Sequence, residues 1–324
     1  MNIRTMTKLA LGVTAAIGLA TGAAFAQFPS KVVTIIVPYA AGGPTDVAAR
    51  IIADEMTKSL GKSVIVENRP GAGTVVGAEA VARADKDGHT LFITAATTFS
   101  SNPHTVKDIR YKIEDFAPIS MLAEVPFVFA VTKDFPAKDI QEFIAKGKET
   151  EGGIDFGTLG AGTVPHIIGG VMEEVTGVKL MPIPYGGAAP ILADILGGNL
   201  DSYIASVADG AVNHKEGNYR VLAAFSNERV PQLPEIPTFK EVGYEGLALG
   251  SWFAAFAPAG TPDDVISTLN KSMVDAVASP AYQEKMLQLG NKPVSSTAAE
   301  AKEFVENDSK LWGELIKKMG VEAK

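Results

Sequence analysis

Short apolar runs alternate along this chain with longer segments whose apolar residues recur every three or four positions, the signature of strands followed by amphipathic helices. Val32 to Val37 (VVTIIV) is a continuous β-branched run, as expected of a strand covered on both faces of a parallel sheet. The small-residue turn Ala40-Ala41-Gly42-Gly43-Pro44 follows, and Ala48, Ile51, Ile52, Met56 and Leu60 then recur at helical spacing. Thr45 and Asp46 stand at the start of that helix, where caps and acidic residues are favoured, and Gly61 stops it. A strand at Val64 to Val66, a turn at Arg69-Pro70-Gly71-Ala72-Gly73, a helix over Val75 to Ala84 and a strand over Thr90 to Thr94 complete a β-α-β-α-β series. That order calls for a largely parallel sheet.

The unit returns further on. Ile154 to Gly157 reads as a strand, Thr158 to Thr163 (TLGAGT) as a small-residue loop, and Ile167, Ile168, Val171, Met172 and Val175 as the apolar face of a helix entered through Pro165. Lys179 to Tyr185 is strand-like, Gly186-Gly187 a turn, and Ala188 to Leu196 a helix stopped by Gly197-Gly198. The two strand, Gly-loop, helix units lie too far apart for one mononucleotide-binding half, so they read as facing elements of two lobes. Val230 to Pro237 (VPQLPEIP) is expected to be a rigid surface loop, Phe253 to Pro258 a strand, and Asp263 to Val277 and Ala298 to Met319 two closing amphipathic helices.

The chain is 324 residues long, 46% hydrophobic and 20% charged, which suits about two globular domains and excludes disorder. A net charge of −8 argues against nucleic acid, which needs a basic surface. At the N-terminus, Arg4 and Lys8 precede the apolar run Leu9 to Ala20, and Ala24-Phe25-Ala26 matches a signal-peptidase site. A signal peptide over 1–26 is therefore expected, with a periplasmic product, and the absence of Cys suits export.

Known reaction chemistry is hard to find here. His89, His104, His166 and His214 show no metal-ligand spacing; there is no G-x-S-x-G, no Walker A, and no full G-x-G-x-x-G with an acidic residue about twenty positions on. No metal, no cofactor and no enzymatic activity are expected. What the sequence offers is small-residue turns that open helices, whose backbone N–H groups converge on an anion. Gly42 to Asp46 reads either as a tight turn with a capping Asp or as half of such a cradle. Thr158, Thr163 and His166 surround the second loop with side-chain donors, although a lone His is as often structural. Tyr185 could pack on the core or point its hydroxyl to the carboxyl ends of the strands, where open α/β sheets bind ligands. Thr97 and Thr98 stand at a like position, and Trp252 and Phe253 read as core or hinge packing.

Seven stretches in order resemble the extracytoplasmic solute receptors of tripartite tricarboxylate transporters, the Bug or TctC-type proteins. They are Val37 to Arg50 (VPYAAGGPTDVAAR), Val66 to Gly73 (VENRPGAG), Asp87 to Leu91 (DGHTL), Gly157 to His166 (GTLGAGTVPH), Pro184 to Gly187 (PYGG), Leu233 to Thr238 (LPEIPT) and Ala257 to Pro262 (APAGTP). The resemblance implies an α/β, two-lobed periplasmic-binding-protein fold of type II-like character, each lobe a mainly parallel sheet flanked by helices. Two crossing segments would join the lobes, which close on a ligand. The lobes would comprise 27–125, then 126–248 for the second, with 249–324 returning to the first.

It further implies a carboxylate gripped by Tyr39, Ala41, Gly42, Gly43, Thr45 and Asp46 on one side and by Thr158, Ala161, Gly162, Thr163 and His166 on the other. Tyr185 and Gly187 would lie nearby, and Leu159 and Thr97-Thr98-Phe99 depart from the family's commoner residues at the specificity end. Asp46 reads as a group orienting its loop, because like charges repel at contact range. The expected function is periplasmic binding of a small organic di- or tricarboxylate, or related acid, by a monomer that delivers it to membrane permease subunits. A receptor of the same fold feeding a membrane signalling kinase is the alternative.

Overall fold

The strand and helix alternation becomes, in a computed structural model describing residues 28–158, 160, 163–186 and 188–321, two sheets joined through one long strand. The expected signal peptide lies outside the described residues. The first part of the chain runs β1 (Val33–Val37), α1 (Pro44–Leu60), β2 (Val64–Asn68), α2 (Val75–Ala82), β3 (Thr90–Ala95), α3 (Asn102–Thr105) and β4 (Phe116–Thr132). The middle supplies α4 (Ile140–Glu149), β5 (Ile154–Thr158), α5 (Val164–Thr176), β6 (Leu180–Pro184), α6 (Ala188–Gly197), β7 (Ser202–Ser206), α7 (Val207–Lys215) and β8 (Tyr219–Phe225). The return consists of β9 (Gly250–Pro258), α8 (Asp263–Val277), α9 (Pro280–Gln288), β10 (Lys292–Pro293) and α10 (Ala298–Lys318).

The two sheets share one plan. In the first the order is β2-β1-β3-β9-β4, and β9 alone of these five runs antiparallel to its neighbours. In the second it is β6-β5-β7-β4-β8, with β4 the antiparallel strand. Each sheet thus receives its antiparallel strand from the chain arriving out of the other. β4 leaves the first sheet at Pro126, paired with Gly250 of β9, and joins the second at Phe127, paired with Ser206 and Phe225. In each sheet four of these five strands point the same way, which is the mainly parallel arrangement expected, while every pair made by β9 or β4 is antiparallel.

Local signals explain the element ends. Gly61 sits in the left-handed region at φ 66° and donates to Thr57 O, closing α1. Thr297 and Glu300 form a capping box that starts α10. In the first lobe, β1, α1, α8 and α9 enclose one core, while α2, the Thr97–Ser101 segment and the first half of α10 cover the other face with Phe92, Phe99, Phe116 and Phe256.

Two expectations are corrected. Val230 to Pro237 is more than a surface loop: Val230, Leu233 and Ile236 are buried in the second lobe's core, three residues apart, leaving Pro231, Pro234 and Glu235 toward solvent. The stretch 249–324 also does not stay with the first lobe. Ala301 and Val305 of α10 belong to a first-lobe core, but Trp312 and Ile316 are buried in the core of the second.

Candidate functional site

Strand polarity fixes where a site can form. In the first sheet β4 runs parallel to β1 and β3; in the second it runs opposite to β5 and β7. Because β4 is continuous, the carboxyl ends of β1 and β3 point toward the second lobe and those of β5, β6 and β7 toward the first. The turns opening α1 and α5 leave from those facing ends, and open α/β sheets bind ligands at such edges.

The α1 turn is held from within. Asp46, 2% exposed, accepts hydrogen bonds from Gly42 N–H (2.8 Å), Arg50 Nε (2.9 Å) and Asn68 Nδ2 (2.8 Å). Burial opposes its ionisation, but these donors prevail and hold the carboxyl below its usual range. Its acceptor oxygens are thereby committed to the loop. No side chain caps α1: Gly43 stands at the cap position, and Pro44 brings no N–H. The same holds for α5, whose cap position is Thr163 and whose first turn contains Pro165. α2, α3 and α8 also lack a side-chain cap, whereas α4, α7, α9 and α10 are capped by Asp139, Ser206, Ser279 and Thr297. Neither cap residue, Gly43 or Thr163, thus lends a side-chain acceptor to the first turn of its helix, and helix N-termini of that kind suit a carboxylate.

Gly42 and Gly43 play different parts. Gly42 has φ 86° and Gly43 an extended φ of −73° with no close neighbour for a Cβ. Gly42→Ala should therefore cost about 1 kcal/mol and weaken ligand binding, whereas Gly43→Ala should leave stability within about 0.5 kcal/mol. Paired thermal melts check this; equal losses would contradict it.

Beside this turn lies a buried polar wall. The Tyr39 hydroxyl is turned inward toward Thr94, Thr97, Thr98 and the Ala95 backbone, and burial raises its pKa. Thr98 is fully buried, its hydroxyl 2.6 Å from that of Thr94 and donating to Thr74 Oγ1 at 2.9 Å. Asn102 Nδ2 donates to Thr74 Oγ1 (3.0 Å) and Gly73 O (2.6 Å), and the Tyr111 hydroxyl to Thr98 O (2.7 Å). This network holds Thr74 at φ 90°, a strained value for a β-branched residue, at the start of α2. Of the expected pair, only Thr97 is partly exposed; Thr98 supports the wall.

On the opposite side Thr158 is buried, and its hydroxyl lies 3.4 Å from that of Thr163, which donates to Gly160 O at 2.7 Å. His166 is half-buried on the first turn of α5, and burial lowers its pKa. The Tyr185 hydroxyl does not point at the cleft as a free donor: it donates to Asp194 Oδ2 at 2.7 Å, and burial together with that carboxylate pushes its pKa up to about 12. Ala41 is exposed on the α1 turn and Thr45 is buried beneath it. Ala161, Gly162 and Gly187 lie outside the described residues. Residue patterns missed Asn68 and Arg50, which bracket Asp46, and exposed Ser206, which ends β7 at the same edge. Asn68 lies in the Val66-Glu67-Asn68-Arg69-Pro70 stretch, but nothing local pairs it with a residue 22 positions earlier.

Residues 48–321 match the tripartite tricarboxylate transporter family receptor, TctC. The chain is similar to the periplasmic binding protein BugD, with 36% identity and a TM-score of 0.73 over 92% of this chain and all of that one. It is also similar to Rpa4515 of R. palustris, solved with adipate (28% identity, TM-score 0.77, 92% of this chain and all of that one). A third likeness is to MatC (Rpa3494) of Rhodopseudomonas palustris, solved with bound malate (29% identity, TM-score 0.72, 89% of this chain and all of that one).

Proposed function

Because the chain belongs to the TctC family of tripartite tricarboxylate transporter receptors, solute-binding proteins and not enzymes, we propose that it closes two lobes on a small organic carboxylate and hands it to the membrane subunits of such a transporter. The observation that carries this reading is the pair of facing helices, α1 and α5, whose cap residues Gly43 and Thr163 place no side-chain acceptor over the first turn. The ligand carboxylate completes both turns, with Gly43, Thr45 and Asp46 N–H groups on one side and that of Val164 on the other. Asp46 shapes its turn through Gly42, Tyr39 and Thr98 brace the wall, and Thr97 and Ser206 face the rest of the ligand. In this reading residues 1–26 direct export and are removed, the first lobe comprises 27–125 with most of 249–324, and the second comprises 126–248. Malate and adipate bound to two relatives support the ligand class.

The test is a thermal melt of ligand-stripped protein against mono-, di- and tricarboxylates, amino acids and sugars. A carboxylate at ~100 times its Kd adds about 2.7 kcal/mol and raises Tm by several degrees. Stabilisation by sugars alone, with carboxylates inert, would overturn the reading.

A further inference from the structure

The C-terminal helix ties together the two walls just described. Its middle residue Asp308 accepts three hydrogen bonds: from the Ser100 hydroxyl and Trp252 Nε1 (2.8 Å) at Oδ2, which come from two other parts of the fold, and from Trp312 Nε1 (3.1 Å) at Oδ1, one turn along the same helix. Ser100 belongs to the Thr97–Ser101 segment of the first wall, which α10 grips again through Ser309 Oγ donating to Phe99 O at 2.7 Å. Trp252 is the third residue of β9 and pairs with Glu124 of β4. Trp312 is buried in the second lobe's core.

Beyond Trp312 the helix is seated on α5, the helix that opens the second wall. Lys318 pairs with Glu174, and Gly170 leaves the space that Met319 occupies. Among the described residues no cationic side chain forms an ion pair with Asp308; burial raises its pKa, and the three donors offset only part of that. A cavity of about 380 Å³ flanks this junction, lined by residues of both lobes such as Pro126, Ser226 and Leu311.

We propose that Asp308 is a positioning residue that couples the Thr97–Ser101 wall to α5, so that ligand contact on one lobe and closure of the other are linked through α10. The inference rests on the closing-receptor reading above, and its test has an arm that needs no ligand. In ligand-free Asp308→Asn, hydrogen exchange should quicken together in Thr97–Ser101 and in Val164–Thr176, while β1 and β5 keep wild-type protection. Faster exchange confined to α10 would overturn the proposal. Trp252 and Trp312 are the chain's only tryptophans, so stopped-flow tryptophan emission reads the junction directly.

With adipate as probe, Asp308→Asn should bind about tenfold more weakly, with dissociation faster and association unchanged. Wild-type affinity and rates in the variant would overturn the coupling. Failure of the wild type to bind any carboxylate would instead count against the proposed function, and the exchange arm would still decide the coupling. Should Asp308→Asn not fold, Trp312→Phe, which keeps an apolar ring and deletes one donor, should show the same paired exchange change at smaller amplitude; its absence there would overturn the proposal.

Discussion

Asp46→Ala is expected to destabilise the protein by about 2–4 kcal/mol and to weaken carboxylate binding at least tenfold. The buried carboxylate is the shared acceptor for Gly42 N–H, Asn68 and Arg50, and its removal strands donors that the folded loop cannot satisfy otherwise. The Arg50 side chain is half exposed, so its share is held to the surface value of under ~1 kcal/mol and the cost falls mainly on the other two. The pH dependence has a definite sign. Asp46 has a folded-state pKa below its unfolded value, so its contribution is complete above the unfolded pKa of ~3.9 and is lost as pH falls through the folded pKa. Urea unfolding of wild type and Asp46→Asn should show a constant gap from neutral pH to about pH 5 that closes in acid. A gap that does not change with pH would show that the charge is not what holds the loop.

Phe99→Ala should cost about 3–5 kcal/mol and lower Tm by roughly 10 °C. The ring is fully buried, with centroids 4.7 Å from Phe256, 5.0 Å from Phe116 and 6.2 Å from Tyr111, so its loss opens a cavity among side chains that hold one another in place. It also sits between Thr98 and Ser100, so the cavity loosens the polar wall on one side and the Asp308 junction on the other. Phe99→Leu, which keeps most of the volume, should cost under about 2 kcal/mol. A calorimetric melt of the two variants separates a packing role from a dispensable one, and a loss below 1 kcal/mol for Phe99→Ala would remove Phe99 from the framework of the cleft.

Much of the fold is readable from local pattern. The β1 run, the helix from Pro44 to Gly61 and the span Asp263 to Val277 follow from periodicity and terminal signals acting over a few residues. β4 escapes such reading, although it joins the lobes. Pro118, Glu124 and Pro126 interrupt its apolar pattern, and register shifts at Pro118/Ser120 and Met121/Ala123 break the two-residue alternation. Val230, Leu233 and Ile236 mislead for a related reason: prolines mark a turn-rich segment but do not say whether its apolar residues find a core.

The chain's order of residues determined the small-residue turns at the ends of β1 and β5, the helices that begin there and the family motifs that contain them, because each depends on neighbours within a turn or two. Only the tertiary structure decided what those residues do. It committed Asp46 to Asn68, turned the Tyr39 hydroxyl inward, gave the Tyr185 hydroxyl to Asp194, and brought Ser100 and Trp252 to one carboxylate on α10. Ser100 and Asp308 lie 208 positions apart. Hydrogen bonds and packing act over a few ångströms of space, and folding sets those distances without regard to separation along the chain.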